Sequence, residues 1–255
     1  ENLIASGMIS AVNPGFGDFS VTELSGNLDY SEKLLKTQFS IPDIGKGAFV
    51  SSEIPFIYQQ DSTGFSIQPL ETFSAELKID SLSFDQIHTP EASSDIQIKG
   101  LVNSDIQASG SFKNPLFYGN INLVDLNFND YRQGIVLERI NAAINLSGNK
   151  IDIDNFNIDQ ESGYLNLKGG IEFDSSIIKG KIRDASLIAN AKRFTFKTKT
   201  GFDLKMDADA FLRSGSGNPE FGGEIKIIQS NINLDELAES RGLADDVEDI
   251  ALLVQ

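Results

Sequence analysis

Asn114-Pro115-Leu116-Phe117-Tyr118-Gly119-Asn120-Ile121-Asn122-Leu123 is the stretch that decides how the chain is read. It opens as a turn and runs into alternating polar and apolar residues. Proline has no N–H to give to a β-ladder, so it belongs in a turn or at the first residue of a strand. The asparagine before it is pushed toward extended backbone. The glycine permits a positive φ or a bulge as the strand begins, and the aromatic packs the turn onto the sheet. The phrase occurs twice more, as Asn13-Pro14-Gly15-Phe16-Gly17 and as Asn218-Pro219-Glu220-Phe221-Gly222-Gly223 running into Glu224-Ile225-Lys226-Ile227. The prolines lie 115 − 14 = 101 and 219 − 115 = 104 residues apart. Spacing that regular indicates an array with a unit of about a hundred residues.

Working outward, other pieces recur in order. Leu3-Ile4-Ala5-Ser6-Gly7 matches Ile106-Gln107-Ala108-Ser109-Gly110, each ahead of an Asn-Pro phrase. Leu24-Ser25-Gly26-Asn27 matches Leu146-Ser147-Gly148-Asn149, and both read as hairpin turns. Between them run alternating strands such as Leu77-Lys78-Ile79, Leu82-Ser83-Phe84, Ile96-Gln97-Ile98, Ile151-Asp152-Ile153 and Tyr164-Leu165-Asn166-Leu167. From Phe202 to Ala210 every even position is apolar and every odd one charged. That alternation means one dry face and one wet face. The phase slips between Ile121-Leu123 and Val124-Leu126-Phe128, which predicts a bulge near Leu123–Val124. Repeated bulges would curve a long sheet around its apolar side. The expected fold is all-β: a long, curved, antiparallel-rich sheet of about 18 strands, spanning on the order of 85 Å at about 4.8 Å per strand.

The organisation expected is one elongated repeat domain over 1–255: the tail of a unit (1–20), a unit over 21–119, a second over 120–223, and over 224–255 the start of a third with a short helix. Leu237, Leu243, Val247, Ile250 and Val254 stand at helical spacing. The chain begins without methionine and in mid-unit, and reads as a fragment of a longer protein.

Composition narrows function. The 255 residues carry 37 acidic and 21 basic side chains, a net charge of −16. That disfavours nucleic acid, whose phosphates need Lys and Arg clusters, and adhesion to an anionic membrane by charge. No run of 18 apolar residues spans a bilayer. There is no cysteine, so disulfide and thiolate chemistry are excluded. His88 is the sole histidine and precedes Thr89-Pro90, which rules out a multi-histidine metal site. Gly45-Lys46-Gly47 lacks the full phosphate-loop pattern. Asp245, Asp246, Glu248 and Asp249 lack the spacing of a calcium loop and read as a solvated helix face. Nothing singles out a catalytic carboxylate pair. No enzyme, cofactor or metal is expected.

The Asn-Pro-x-aromatic-Gly phrase, the Leu-Ser-Gly-Asn turn and the strand pair Gly163-Tyr164-Leu165-Asn166-Leu167-Lys168-Gly169-Gly170-Ile171 together resemble the AsmA/TamB family of bacterial envelope proteins. The descent into Ile232-Asn233-Leu234-Asp235-Glu236-Leu237 is similar to the way those repeats meet a short helix. The resemblance implies a U-shaped β-sheet, the β-taco, with a greasy groove. It implies a protein anchored in the inner membrane and crossing the periplasm, which conducts phospholipid toward the outer membrane or chaperones outer-membrane protein assembly. For TamB it also implies partnership with a barrel protein related to BamA. Burial of acyl chains at about 0.8 kcal/mol per CH₂ suits a groove lined with Phe, Ile and Leu. The residues expected to line it are Ile121, Leu123, Ile151, Ile153, Leu165, Leu167, Phe194, Phe196, Phe202, Leu204, Met206, Ile225 and Ile227. The competing expectation is a structural or adhesive β-array with a closed core and no lipid. A carbohydrate-active β-helix is disfavoured by the long period.

Overall fold

The computed structural model describes residues 4–16, 19–20, 23–41, 47–61, 64–69, 72–84, 96–197, 202–215 and 219–232. His88, Lys46 and the terminal segment 233–255, with its expected helix, lie outside these residues. The strands are β1 (Ala5–Val12), β2 (Gly15–Phe16), β3 (Phe19–Ser20), β4 (Glu23–Ser31), β5 (Leu34–Ile41), β6 (Ala48–Asp61), β7 (Gly64–Pro69), β8 (Thr72–Ser83), β9 (Ile96–Ser111), β10 (Asn114–Asp130), β11 (Ile135–Gly148), β12 (Lys150–Asp159), β13 (Tyr164–Phe173), β14 (Ile182–Lys197), β15 (Phe202–Ser214) and β16 (Glu220–Ile232).

Thirteen strands follow one another in a single antiparallel sheet, β1-β4-β5-β6-β8-β9-β10-β11-β12-β13-β14-β15-β16, with β7 paired to β6 and β2-β3 a separate ladder. The sheet is curved and does not close on itself. Twelve spacings of about 4.8 Å give a path of roughly 58 Å, shorter than expected because strands such as β9 and β10 are long, at 16 and 17 residues, rather than short and numerous. In a flat sheet β11 and β14, three spacings apart, would be separated by about 14 Å. Here their backbones come within 8 Å, so the sheet is tightly curled at this point.

The 104-residue period is built into the pairing. Gly119 faces Ile106 across β9–β10, and Gly223 faces Ala210 across β15–β16, a shift of 104 on both strands. Both phrase glycines adopt a positive φ, +130° and +138°. The first phrase behaves differently: after Asn13-Pro14 come the two residues of β2 rather than a long strand. The two Leu-Ser-Gly-Asn copies also part company. Gly148, at φ +69°, does turn the chain from β11 into β12. Ser25-Gly26-Asn27 instead runs through the body of β4, a correction to the expected turn, and the hairpin falls at Glu32-Lys33, both at positive φ. Gly26 is there for space, since a Cβ on it would lie 2.3 Å from the Phe39 ring.

Four non-glycine residues with left-handed backbone set the bends. Ser81, Asp125, Arg139 and Arg193 have φ of 56°, 48°, 50° and 44°. In each case the backbone N–H donates to a side chain on the facing strand: Ser81 to Asn103 Oδ1 at 2.8 Å, Asp125 to Asn141 Oδ1 at 3.1 Å, Arg139 to Asn127 Oδ1 at 3.1 Å and Arg193 to Asp207 Oδ1 at 2.7 Å. A bulge frees one N–H from the ladder, and these oxygens satisfy it. The residue after each left-handed one is a buried apolar side chain: Leu82, Leu126, Ile140 and Phe194, at 9%, 8%, 5% and 5% exposure. The bulge thus re-aims the next side chain inward. The phase slip in β10 therefore centres on Asp125, one residue beyond its predicted place, and Val124 stays on the outer face opposite Leu101.

Candidate functional site: an apolar trough

Because cross-strand partners share a face, the register shows which residues meet. One unbroken cross-strand line runs Ile9, Gly26, Phe39, Val50, Leu77, Ile106, Gly119, Leu146, Ile151, Ile171, Ala185 and Ser214. A second runs Leu82, Val102, Leu123, Ala142, Phe156, Leu167, Ala189, Ala210 and Gly223. Twelve strands therefore present one apolar face, and no second sheet covers it among the described residues.

The face is a trough with a buried floor. Leu126, Ile140, Ile158, Ala191 and Phe194 form a cluster, against which Leu123, Phe128, Leu137, Phe156, Leu165, Phe196, Met206 and Ala208 pack. Leu82 and Val102 form a smaller one with Ile79, Ile121 and Leu123. Both lie along the bends. Away from them most of the lining is half-buried, as on walls open to one side, with isolated buried residues such as Ala48 and Ala185. Hydroxyls on this face are satisfied: Thr37 Oγ1 and Ser52 Oγ are 2.7 Å apart, and Ser104 Oγ donates to the Asn120 carbonyl at 3.1 Å.

Of the residues expected to line a groove, Ile121, Leu123, Ile151, Ile153, Leu165, Leu167, Phe194, Phe196, Leu204, Met206, Ile225 and Ile227 share this face. Phe202 starts β15 opposite Ile232. They do not all have the same surroundings. Phe194 is floor, whereas Ile225 and Ile227 on the last strand are 58% and 60% exposed. Sequence reasoning missed the larger part of the floor: Leu82, Val102, Leu126, Ile140 and Ile158. For three of the four bulges the signal was present as a polar pair ahead of the buried residue, in Asp80-Ser81-Leu82, Glu138-Arg139-Ile140 and Lys192-Arg193-Phe194.

The other face is mostly polar, with scattered apolar pairs such as Leu101–Val124 and Ile188–Phe211. Asn141, Asn157, Asn166, Asn190, Asp209 and Glu224 stand in one cross-strand row. Asn166 Nδ2 donates to Asn155 Oδ1 at 3.1 Å and to Asn157, and Asn190 Nδ2 to Asp209 Oδ1 at 2.7 Å. Exposed ion pairs such as Lys36–Glu53 at 3.1 Å and Lys192–Asp207 at 2.7 Å lie on this face. No group of side chains suited to a metal ion occurs among the described residues. One lip is braced by the connection after β13, where a single 3₁₀ turn spans Ile177–Lys179. The fully buried Ser176 donates from Oγ to the Pro115 carbonyl at 2.6 Å, and Lys179 Nζ bonds Asn114 Oδ1.

Asp207 ties the outer face to the bend. Its hydrogen bond from Lys192, followed by that from the Arg193 N–H, holds its carboxyl below the ordinary value of 3.8. A depressed carboxyl contributes stability that is complete above the unfolded value and is lost as pH falls through the folded one. Asp207→Asn is therefore expected to weaken the chain at neutral pH and to flatten the acid limb of its pH–stability curve below about pH 4. Urea midpoints taken across that range check this; parallel curves for parent and variant would refute it.

No protein-family model, curated protein or solved structure matches the chain.

Proposed function

We propose that the chain is a non-enzymatic lipid-handling segment of the bacterial cell envelope, similar to the AsmA/TamB proteins. Its trough holds phospholipid acyl chains and lets them pass along the sheet through the periplasm toward the outer membrane. The observation that carries this reading is the uninterrupted apolar face with no covering layer among the described residues. A continuous apolar surface of this length far exceeds what monomers leave facing water, and marks a ligand or partner surface. Acyl chains suit it because burial is non-directional and makes no polar demand. A headgroup outside the lips stays hydrated. Chaperoning of outer-membrane proteins would draw on the same face, and a BamA-related barrel would engage parts of a longer chain.

Leu204 and Phe196 face each other across β14–β15, beyond the buried floor. Leu204→Asp is expected to abolish phospholipid uptake while the β-sheet circular dichroism is kept, because a carboxylate in an apolar trough carries a large desolvation penalty. Native mass spectrometry with added phospholipid, and lipid extraction of the purified chain, make the measurement. If the parent takes up no lipid, or the folded variant takes up as much, the conduit reading fails and the closed structural array takes its place.

A further inference from the structure

We propose that β16 is a self-complementary interface, pairing antiparallel with β16 of a second copy about a two-fold axis through Ile225. Among the described residues β16 pairs only with β15 and ends the sheet. It is long, at 13 residues, and exposes Phe221, Ile225 and Ile227 at 72%, 58% and 60%. A long, apolar, exposed edge of this kind is a template for another strand.

The 104-residue repeat indicates what that strand looks like. β16 corresponds to β10, whose equivalent edge is occupied by β11. There Gly119 faces Leu146, Ile121 faces Ile144 and Leu123 faces Ala142: glycine against large, large against large, large against small. Paired with itself about Ile225, β16 sets Gly223 against Ile227, Ile225 against Ile225 and Ile227 against Gly223. The size pattern is the same. On the outer face the same register puts Glu224 against Lys226 of the other copy, twice. Within its own sheet Glu224 has Asp209 directly opposite, a like-charge pairing that costs stability, and the incoming lysine relieves it. A two-fold axis normal to the sheet keeps both apolar faces on the same side, so the two troughs join. This pairing is isologous and closed.

The chain has no cysteine, so one introduced thiol reports the axis. Directly opposed Cα atoms in an antiparallel pair lie about 4.5–5.5 Å apart, within disulfide reach. Ile225→Cys is expected to give a disulfide-linked dimer on mild oxidation. Ile227→Cys, whose two copies would stand about 14 Å apart, is expected to stay unlinked. By sedimentation the parent is expected at twice 27.8 kDa and Glu224→Lys as a monomer, with the double variant Glu224→Lys/Lys226→Glu dimeric again. A monomeric parent, equal crosslinking of both thiols, or a dimer indifferent to the charge exchange overturns the proposal. Lipid uptake plays no part in these readouts, so they stand or fall apart from the conduit.

Discussion

Replacing Gly119 by alanine is expected to cost about 3 kcal/mol or more and to leave little cooperative unfolding at 37 °C. Gly119 sits in mid-sheet, with β9 on one side and β11 on the other. A Cβ built there would lie 1.9 Å from the Asp105 carbonyl oxygen and 3.0 Å from the Ile106 Cα. Those atoms are backbone, held by their own ladders, and cannot swing aside as a side-chain tip would. The φ of +130° adds strain that only glycine escapes. Its repeat counterpart Gly223 meets the Asp209 carbonyl at 2.2 Å, but among the described residues of one chain β16 is held on one side only. In a monomeric background such as Glu224→Lys, Gly223→Ala is expected to lose less, because that strand can shift, and Gly7→Ala, with open space around it, to lose least. Urea titrations of the three variants make the comparison. Equal losses at Gly119 and Gly223 would show that confinement between two strands is not what sets the penalty.

Phe194→Ala is expected to destabilise by about 3–5 kcal/mol. Phe194 follows the left-handed Arg193, points into the floor, and is among the most buried large side chains of the sheet. Among the described residues the only other buried cluster is the small one of Leu82 and Val102, which shares little of the load. The floor clusters hold most of the large side chains of the lining that are withdrawn from water, so a void there falls on the main source of burial. Phe194→Leu is expected to recover most of the loss, and Ile188→Ala on the outer face to change stability by less than about 0.5 kcal/mol. A Phe194→Ala variant within 1 kcal/mol of the parent, by the same urea measurement, would mean that the ladders alone hold the curve.

The sheet and its curvature were legible because alternation survives wherever one face is dry, as from Phe202 to Ala210. The residues expected to line a groove were picked out by the same alternation, and twelve of the thirteen share a face by register. What was not legible is backbone choice. Leu-Ser-Gly-Asn is a turn at 146–149 and strand at 24–27, because one glycine takes a positive φ while the other makes room for Phe39. Register with the neighbouring strand decides between these, and one strand's sequence does not contain it. Likewise the bulge at Asp125 depends on an oxygen from Asn141, sixteen residues away. Among the described residues thirteen strands follow one another rather than about 18, because long strands that bend in the middle look like pairs of short ones.

Among the described residues almost every strand pairs with its neighbour in sequence, and no seam there must be closed by distant parts of the chain. Growth of such a structure is modular: one more hairpin extends the path by about 10 Å and leaves the cross-section as it was. Span is therefore counted in hairpins, while bore is set by the size of the side chains that follow each left-handed residue. Folding shares the property. With contacts this local, any hairpin can serve as a seed and neighbours can add to it in either direction, so a very long version need not fold more slowly in proportion to its reach.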